Sequence, residues 1–574
     1  MRRCLLLLSL LLPLISPGQV LIKNVNVVDV EKKKILEGYN VVALDGKIIS
    51  VDKGKTYKLP EGTTVIDGTG KWLVPGYCDA HVHFFQDGGL HARPDVIDLR
   101  KYRPYDVQIN ATHDMMEDFL RRYMANGITS VIDVGSSYHF LRQRDSFMLK
   151  PYAPIIRMTG PLLTTYVPPA FKNLGDESPF ALMETEAGVR QSVRDQLPLH
   201  ADFIKIWYIV QDKDKEAGAR KNLPLVQAVI DEAHKNHLRV AVHATERITA
   251  QLAIESGADF LVHSVDDELI SDAFVQLLKT HKTVLCPTLV VAANYERALG
   301  DQYHLSTTEL NTDNPMVLGT LLDYPYPDTA LGKNIIAYLS TSARKAGNQH
   351  EDSVMKANLN KLVQGGVTIA TGTDAGNIGT QHVSSLFDEL AAMQSAGMNT
   401  WQLLEATTLN GARAVGEDSA WGSIAKNKKA NMLLLDANPV DNLANWRRIN
   451  RVIHNGIPYD PSSFVSNTPE QLVQQQLNAY NAHDLEAFLA PYADDVELYS
   501  FPNTLESRGK EAMRKDYQFI TRMPELYCRI LRRSIYGNRV IDEEEVTISG
   551  DKKLHALVIY ETENGKVKRV YFIQ

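Results

Sequence analysis

Residues 223–264 read LPLVQAVIDEAHKNHLRVAVHATERITAQLAIESGADFLVHS, and this stretch decides the fold class. Apolar residues recur at helical spacing over 225–237. Two short apolar runs follow, RVAVHA at 239–244 and DFLVHS at 259–264. Strand-like runs that alternate with helices predict parallel strands joined by helical crossovers.

The same alternation extends in both directions over residues 74–420. Eight strand-like runs occur there: VPGYCDAHVH (74–83), ITSVIDVG (128–135), IIRMTG (155–160), FIKIWYIV (203–210), RVAVHA (239–244), DFLVHS (259–264), TVLCPTLVV (283–291) and VTIATGTDAG (367–376). Eight strands alternating with helices predict an α/β fold, a (β/α)8 TIM-like barrel. An open doubly wound sheet is the structural alternative.

The segments on either side of this barrel have β character. Residues 19–70 alternate apolar and polar positions between Asp-Gly and Gly turns, and strand-like runs return at 422–436 and 449–456. We therefore predict one small β-sandwich domain composed of 19–73 and 421–462. Within the barrel, the long interruptions 87–107 and 292–356 are predicted to be insertions that cover a site.

The last part of the chain has a different pattern. A polar amphipathic helix is predicted over 468–478, and four strand-like runs close the chain. Residues 467–574 are enough to fold alone, so they are predicted to form a separate α+β domain.

Length and net charge indicate how many domains and which kinds of partner to expect. A chain of 574 residues exceeds one hydrophobic core, and two or three domains are expected. A net charge of -8 gives no reason to expect nucleic acid or an anionic membrane as a partner.

The N-terminus has the order of a secretory signal peptide over residues 1–18. Arg2 and Arg3 precede an apolar run at 5–15, and Ser16 and Gly18 supply the small residues of a cleavage site. The apolar run is short for a membrane span. We expect an exported, periplasmic or extracellular protein with no stable membrane insertion once the signal is removed.

Metal-competent side chains concentrate at the ends of the predicted strands. His81 and His83 lie two residues apart and share one face of the first strand. Lys205 lies inside the apolar run FIKIW, where an unpaired ammonium is costly. The other three groups end later strands: His243, His263 and Asp374. Strand ends form the catalytic face of a TIM barrel, so these six groups predict a metal site.

On these residues the chain resembles the amidohydrolase superfamily, in its imidazolonepropionase-like branch with metal-dependent prolidases and dipeptidases. The resemblance rests on PGYCDAHVH (75–83), DFIKIW (202–207), GTDAG (372–376), LLEATTLNGARAVG (403–416) and GSIAKNKKANMLLLDANP (422–439). It implies two divalent metal ions, one held by His81, His83 and Asp374. The second would be held by His243 and His263, with carboxylated Lys205 as the bridge.

The resemblance also implies the reaction. Zinc is the first choice, because imidazole-rich sites with a few oxygen ligands suit it, with manganese, iron or cobalt as alternatives. Asp374 would act as general base and then acid in amide hydrolysis. His382, Tyr208 and Tyr166 are candidate substrate contacts from strand-end loops, with ordinary surface positions as the alternative.

Three functions are weighed on this basis. The leading prediction is a metal-dependent hydrolase that cuts an amide bond in a dipeptide, as a prolidase does, or in an N-acyl amino acid. A cyclic-amide ring-opening hydrolase, acting on an imidazolone or lactam, is the second. A non-catalytic binding protein on a hydrolase scaffold is the third, and the intact set of six groups argues against it.

The C-terminal residues resemble the SnoaL-like, or nuclear-transport-factor-2-like, fold. The resemblance rests on the segments LNAYNAHDLEAFLAPYADDVELY (477–499), RGKEAMRKDYQFI (508–520) and ENGKVKRVYFIQ (563–574). His483, Asp484 and Asp495 form no convincing acid–base set. We interpret the domain as an accessory or dimerisation module, which leaves a homo-oligomer open.

Overall fold

The computed structural model describes residues 18–573. The signal peptide predicted at 1–18 lies almost wholly outside the described residues and stays a prediction. Between residues 18 and 573, none of the helices combines the length and apolar character that crossing a membrane requires.

Both flanks of the predicted barrel contribute strands to one sheet. Numbered along the chain, these are β1 (Val20–Asp29), β2 (Lys34–Leu44), β3 (Lys47–Asp52), β4 (Thr64–Asp67), β5 (Trp72–Pro75), β15 (Met432–Leu435), β16 (Ile449–His454) and β17 (Ile457–Tyr459). The order is β17-β16-β15-β5-β1-β2-β3, with β4 paired to β1. Because β5 pairs with both β1 and β15, hydrogen bonds join all eight strands into one continuous sheet. The folding of this sheet into the two layers of a sandwich stays a prediction.

The middle of the chain forms parallel strands. They are β6 (Tyr77–Val82), β7 (Ile128–Asp133), β8 (Ile155–Met158), β9 (Leu162–Thr164), β10 (Phe180–Leu182), β11 (Ile204–Trp207), β12 (Val240–His243), β13 (Phe260–Val262) and β14 (Val284–Cys286). Strands β6-β7-β8 make one sheet, and β10-β9-β11-β12-β13-β14 make another. Seven of the eight predicted runs are therefore strands, and the short β9 and β10 were not predicted.

The eighth run, 367–376, forms only isolated bridges to its neighbours. Its backbone still links the two sheets, since Ala370 N donates to Leu285 O at 2.8 Å and Ala80 N donates to Thr371 O at 2.9 Å. A further bond from Asp202 N to Met158 O, at 2.9 Å, ties β8 to the residues before β11. The chain is thus mixed α/β with parallel sheets, and a fully closed eight-stranded barrel stays a prediction.

Helices separate the parallel strands. They are α1 (Tyr105–Ala125), α2 (Tyr138–Phe147), α3 (Glu186–Gln196), α4 (Lys215–Lys235), α5 (Arg247–Glu255), α6 (Asp272–His281), α7 (Val291–Leu299), α8 (Thr307–Thr312), α9 (Pro315–Leu322), α10 (Thr329–Leu339), α11 (Ser342–Gln364), α12 (Ser385–Ser395), α13 (Thr400–Ala406) and α14 (Leu409–Ala414). Their starts are encoded locally: the Ser271 side chain accepts from Phe274 N and caps α6. Helices α7 to α11 fill the predicted 292–356 insertion.

The C-terminal residues form a mixed sheet with helices. Its elements are α15 (Pro469–Asn481), α16 (Leu485–Leu489), β18 (Tyr492–Ser500), β19 (Thr504–Arg508), α17 (Lys510–Asp516), β20 (Tyr527–Tyr536), β21 (Arg539–Ser549), β22 (Lys552–Glu563) and β23 (Lys566–Ile573). The strand order is β19-β18-β23-β22-β21-β20. A capping box of Thr468 and Gln471, with Pro469 in the first turn, starts α15.

This C-terminal sheet shares a hydrophobic core with the insertion helices. Leu318 and Leu321 of α9 belong to the same buried cluster as Leu472 and Val473 of α15. Polar contacts run alongside it, as where Asn478 Nδ2 donates to Pro315 O at 2.7 Å. One face of α15 is thus used within the chain, and self-association stays a prediction.

Candidate metal centre and substrate cavity

The six predicted metal-competent groups line one cavity of about 610 Å³, together with residues from the insertions. They reach it from strand ends: His81 from β6, Lys205 from β11 and His243 from the last position of β12. His83 and His263 lie just beyond β6 and β13, and Asp374 lies in the eighth run, which forms only isolated bridges. Parallel strands bring their C-terminal ends to one edge, which explains why residues so distant in sequence meet.

Asp374 lies between two groups of histidines. Its Oδ1 is 3.1 Å from His83 Nε2 and 3.3 Å from His81 Nε2. Its Oδ2 is 4.0 Å from His263 Nε2. The His243 and His263 rings are adjacent, with centroids 4.4 Å apart. The ligand atoms of His81, His263 and Asp374 all lie close enough together to hold one metal ion.

Hydrogen bonding fixes the orientation of the His83 imidazole. His83 Nδ1 is 2.7 Å from Gly135 O, so this nitrogen must donate the ring proton. The Nε2 of a neutral His83 ring then presents a lone pair to Asp374 Oδ1 and to His81 Nε2, which is 3.3 Å away. Lone pairs that face one another repel, and a cation between them removes that repulsion. In addition, a histidine that binds a metal through one ring nitrogen usually donates the other N–H to a protein acceptor, as His83 does to Gly135 O.

Several buried polar atoms at the centre have no hydrogen-bond partner among the described residues. They include Lys205 Nζ and His81 Nδ1. Burial lowers the pKa of Lys205 to about 7 and that of His81 to about 4. A buried group without a partner costs about 1–3 kcal/mol, so these atoms are expected to be satisfied by something bound. The donor set of imidazoles and a carboxylate fits divalent metal ions.

Asp79 holds the eighth run against β6, a role that the sequence reasoning missed. Its carboxylate accepts from Thr373 N at 3.1 Å and from Thr373 Oγ1 at 2.8 Å. Burial raises the pKa of Asp79 to about 7. The available signal was a carboxylate inside an apolar strand, two residues before His81.

The backbones of His263 and Asp374 have φ values of 78° and 61°, a strained region typical of functional sites.

The cavity wall is mostly apolar and aromatic. Phe85, Leu162, Phe180 and Trp207 contribute from the strand ends and loops, and the Phe180 and Trp207 rings stack with centroids 5.0 Å apart. The two predicted insertions also line the cavity, with Arg93, Val96, Tyr295, Glu296, Tyr338, Leu339, Arg344 and Glu351 among their residues. None of these residues was singled out from the sequence.

The two cavity arginines differ in how many of their donors are free. Arg93 is held by both carboxylate oxygens of Asp95, and its Nη1 also donates to Tyr295 Oη at 3.0 Å and to Asn377 Oδ1. Arg344 has one long contact, 3.5 Å to Glu296, and its side chain is 35% exposed. Arg344 is therefore the cation available to a ligand.

The three predicted substrate contacts do not line this cavity. His382 is buried, bonded to Tyr123 Oη and Gln86 O, and stacked on Phe119. The Tyr208 hydroxyl donates to Ala219 O at 2.5 Å and is fully buried. Tyr166 lies elsewhere on the loop that follows β9. The polar atoms of His382 and Tyr208 already have partners in the core, so these two side chains are not available to a substrate in this cavity. A substrate contact by Tyr166 stays a prediction.

The C-terminal sheet encloses a second cavity, of about 180 Å³, with a polar network that the sequence reasoning also missed. Tyr560 Oη donates to Glu544 Oε1 at 2.9 Å, and Gln476 Nε2 donates to Tyr560 Oη at 3.3 Å. Tyr492 Oη donates to Gln476 Oε1 at 3.1 Å. His483, Asp484 and Asp495 do not line this cavity.

Known proteins resemble the chain in two regions. Residues 72–457 match the Amidohydrolase family, and residues 473–570 match the SnoaL-like domain. An imidazolonepropionase of Thermoanaerobacter pseudethanolicus is 22% identical over 448 residues, which are 74% of this chain and 90% of the relative.

Solved structures show the same fold. A Xaa-Pro dipeptidase with methionine bound in its active site superposes with a TM-score of 0.57 at 20% identity, covering 77% of this chain and 100% of that one. Phenylurea hydrolase B gives 0.59 at 19% identity, covering 78% and 98%. The family match spans well over half of the chain and includes all six groups of the centre. The chain therefore belongs to the Amidohydrolase family and carries a SnoaL-like domain at its C-terminal end.

Proposed function

We propose that this chain is a binuclear metal-dependent hydrolase that cleaves the amide bond of a dipeptide or an N-acyl amino acid. The observation that carries the proposal is the convergence of six metal-competent groups at one end of a largely apolar cavity. Membership of the Amidohydrolase family indicates that the reaction is a hydrolysis, and the residues of the cavity wall would determine which substrate binds.

In this proposal, His81, His83 and Asp374 hold one ion, His243 and His263 hold the other, and carboxylated Lys205 bridges them. The orphaned Lys205 Nζ supports the bridge, because carboxylation would turn an unpaired buried amine into an oxygen ligand. Zinc suits this ligand set best. When bound, the two ions would supply a hydroxide near neutral pH and polarise the substrate carbonyl.

The protein's own residues then orient the substrate and move a proton. Asp374 takes a proton from the attacking water and returns it to the leaving nitrogen, as general base and then acid. The ring of His83, bonded to Gly135 O, turns its Nε2 toward Asp374 Oδ1, so that the two atoms would share the ion held between them. Because most of the wall is apolar, bulk water is excluded from the reacting carbonyl.

Substrate class follows from the charge and shape of the wall. Arg344, whose one contact is 3.5 Å to Glu296, has donors left for a carboxylate, and the aromatic pair Phe180 and Trp207 offers a flat apolar surface. A cavity of about 610 Å³ has room for an apolar acyl group or side chain beside the amide. The likeness to a Xaa-Pro dipeptidase supports a dipeptide as the substrate.

Ring opening of a cyclic amide is the second candidate. It is favoured by the imidazolonepropionase relative, which is 22% identical over 448 residues. The free Arg344 and the long apolar wall favour the linear amide.

Metal content and turnover test the proposal together. Wild type, purified without chelator, should hold two zinc ions at the central site. Lys205→Ala should lose zinc, and its kcat/KM should fall at least about 100-fold. The reason is that removing a metal ligand lowers activity more than removing a residue that is only hydrogen-bonded to a ligand. Lys221→Ala, an exposed lysine on α4, is the matched control and should change neither. Full zinc occupancy in Lys205→Ala would contradict the bridge.

Substrate choice is read by mass spectrometry on dipeptides, N-acyl amino acids, their methyl esters and lactams. We expect turnover of the free acids and weaker turnover of the esters, with the difference abolished in Arg344→Leu. Turnover of lactams alone would favour ring opening. A zinc-loaded protein that turns over none of them would support a binding protein.

A further inference from the structure

Three side chains outside the central site lie together. His113 lies on α1, His139 on α2, and Glu177 in a short 3-10 helix, Gly175–Glu177. His113 is 8% exposed, and none of the three lines the substrate cavity. The sequence analysis assigned no role to these residues.

Both oxygens of one carboxylate face imidazole nitrogens. His113 Nε2 is 3.0 Å from Glu177 Oε2, and His139 Nδ1 contacts Glu177 Oε1. The three potential ligand atoms all lie within 4.8 Å of one another. Donors converging at this spacing can share one ion.

Gln143 determines which His113 nitrogen carries the proton. Its Nε2 donates to His113 O at 3.0 Å, so its Oε1 is the atom that faces His113 Nδ1 at 2.5 Å. An amide oxygen only accepts, and Nδ1 must therefore be protonated. In a neutral ring, Nε2 then points a lone pair at the Glu177 carboxylate, which repels it.

That repulsion is removed by a proton or by a metal ion. We propose that His113, His139 and Glu177 form a second divalent metal site, of the zinc class, completed by water. Two imidazoles and one carboxylate are a familiar zinc ligand set, and the Nδ1–H of His113 bonded to Gln143 is the outer contact that such ligands usually have.

An ion here would join α1, α2 and the 3-10 helix Gly175–Glu177. Glu177 lies three residues before Phe180, which stacks on Trp207 in the wall of the substrate cavity. The site would thus fix the segment that carries Phe180, acting as a structural clamp on that wall without touching the reacting atoms.

The competing state is an imidazolium–carboxylate cluster without metal. To separate the two, zinc is counted by elemental analysis in a full-length His81→Ala/His83→Ala/His243→Ala/His263→Ala background, in which all four imidazoles of the central site are removed. We expect about one tightly held ion at this outer site, and its loss when His139→Ala is added. His139 has a side chain 49% exposed, so its replacement should leave the fold intact by circular dichroism.

His234→Ala is the matched control, because His234 forms an exposed histidine–carboxylate pair with Asp259 at 2.9 Å. It should leave zinc content unchanged. Equal zinc content with and without His139→Ala would overturn the proposal and favour the imidazolium cluster. Because the count does not depend on turnover, it can fail or succeed independently of the proposed hydrolase activity.

A second readout is trypsin cleavage after Lys172, an exposed residue of the clamped segment. In the same background, added zinc should slow this cleavage, and His139→Ala should abolish the protection. Zinc protection that persists in His139→Ala would count against the site.

Discussion

Gly372 shows how one residue decides the geometry of the centre. A Cβ at this position would lie 2.6 Å from Cys286 Sγ, 2.6 Å from His81 N and 2.7 Å from His81 Cβ. The eighth run can therefore pass between β14 and β6 only without a side chain there. Two residues later, Asp374 reaches the cavity.

Gly372→Ala should displace Asp374 or His81. Overpacking of this kind costs about 1–3 kcal/mol, and the shifted ligands should hold metal more weakly. The measurements are thermal stability and zinc per chain. Gly347→Ala is the control, because Gly347 lies inside α11 with open space around it, and it should stabilise by up to about 1 kcal/mol. Unchanged zinc retention in Gly372→Ala would contradict this account.

At the scale of elements, α15 and the strands β21 and β22 enclose a carboxyl group in the C-terminal cavity. Glu544 on β21 is 8% exposed and bonded to Tyr560 on β22, which is bonded in turn to Gln476 on α15. Burial raises the pKa of Glu544 from 4.5 to about 7. The packing of these elements is therefore coupled to pH.

The direction of the change in stability with pH follows from the difference in proton binding between the folded and unfolded states. Below pH 4.5 the carboxyl is protonated in both states, but between 4.5 and about 7 the unfolded state ionises first, so stability falls as pH rises. Full ionisation costs about 3 kcal/mol from this group.

Glu544→Gln keeps an acceptor for Tyr560 and removes the charge. We expect its melting temperature to depend less on pH between 5 and 8 than that of the wild type. Glu543→Gln, exposed on the same strand, should behave as the wild type does. Identical pH profiles for all three proteins would show that Glu544 does not titrate with folding.

At the scale of the whole molecule, the SnoaL-like domain and the insertion helices are one packed body. Leu318 and Leu321 on α9 are 0% and 3% exposed, and they share a core with α15. Helix α9 continues into α10 and α11, which line the substrate cavity. The domain thus supports the wall of a site that it does not itself enter.

Removing residues 467–574 should destabilise the remaining chain. Exposing each leucine forfeits about 1.5–3 kcal/mol, and a fall of about 5 °C or more in melting temperature is expected, with reduced turnover. In the full-length chain, Leu318→Ser should reproduce part of this loss. Leu505→Ser, 48% exposed in the same domain, should not. A truncated chain as stable and active as the wild type would make the domain an independent appendage.

By itself, the sequence determined the two family resemblances, the alternation of strands and helices, and the strand-end positions of the six central groups. These features are local: the apolar run around Lys205 makes a buried strand wherever it packs, and a histidine that ends such a run, as His243 ends β12, must lie at the C-terminal end of its strand. The insertions were also visible as interruptions of the pattern.

Only the tertiary structure decided which polar groups meet. His382 and Tyr208 found partners inside the core, whereas Arg344 reached the cavity from an insertion. His113 and Glu177 meet although 64 residues separate them. The physical reason is that a side chain's partners come from packing between elements distant along the chain, and no local pattern records that packing.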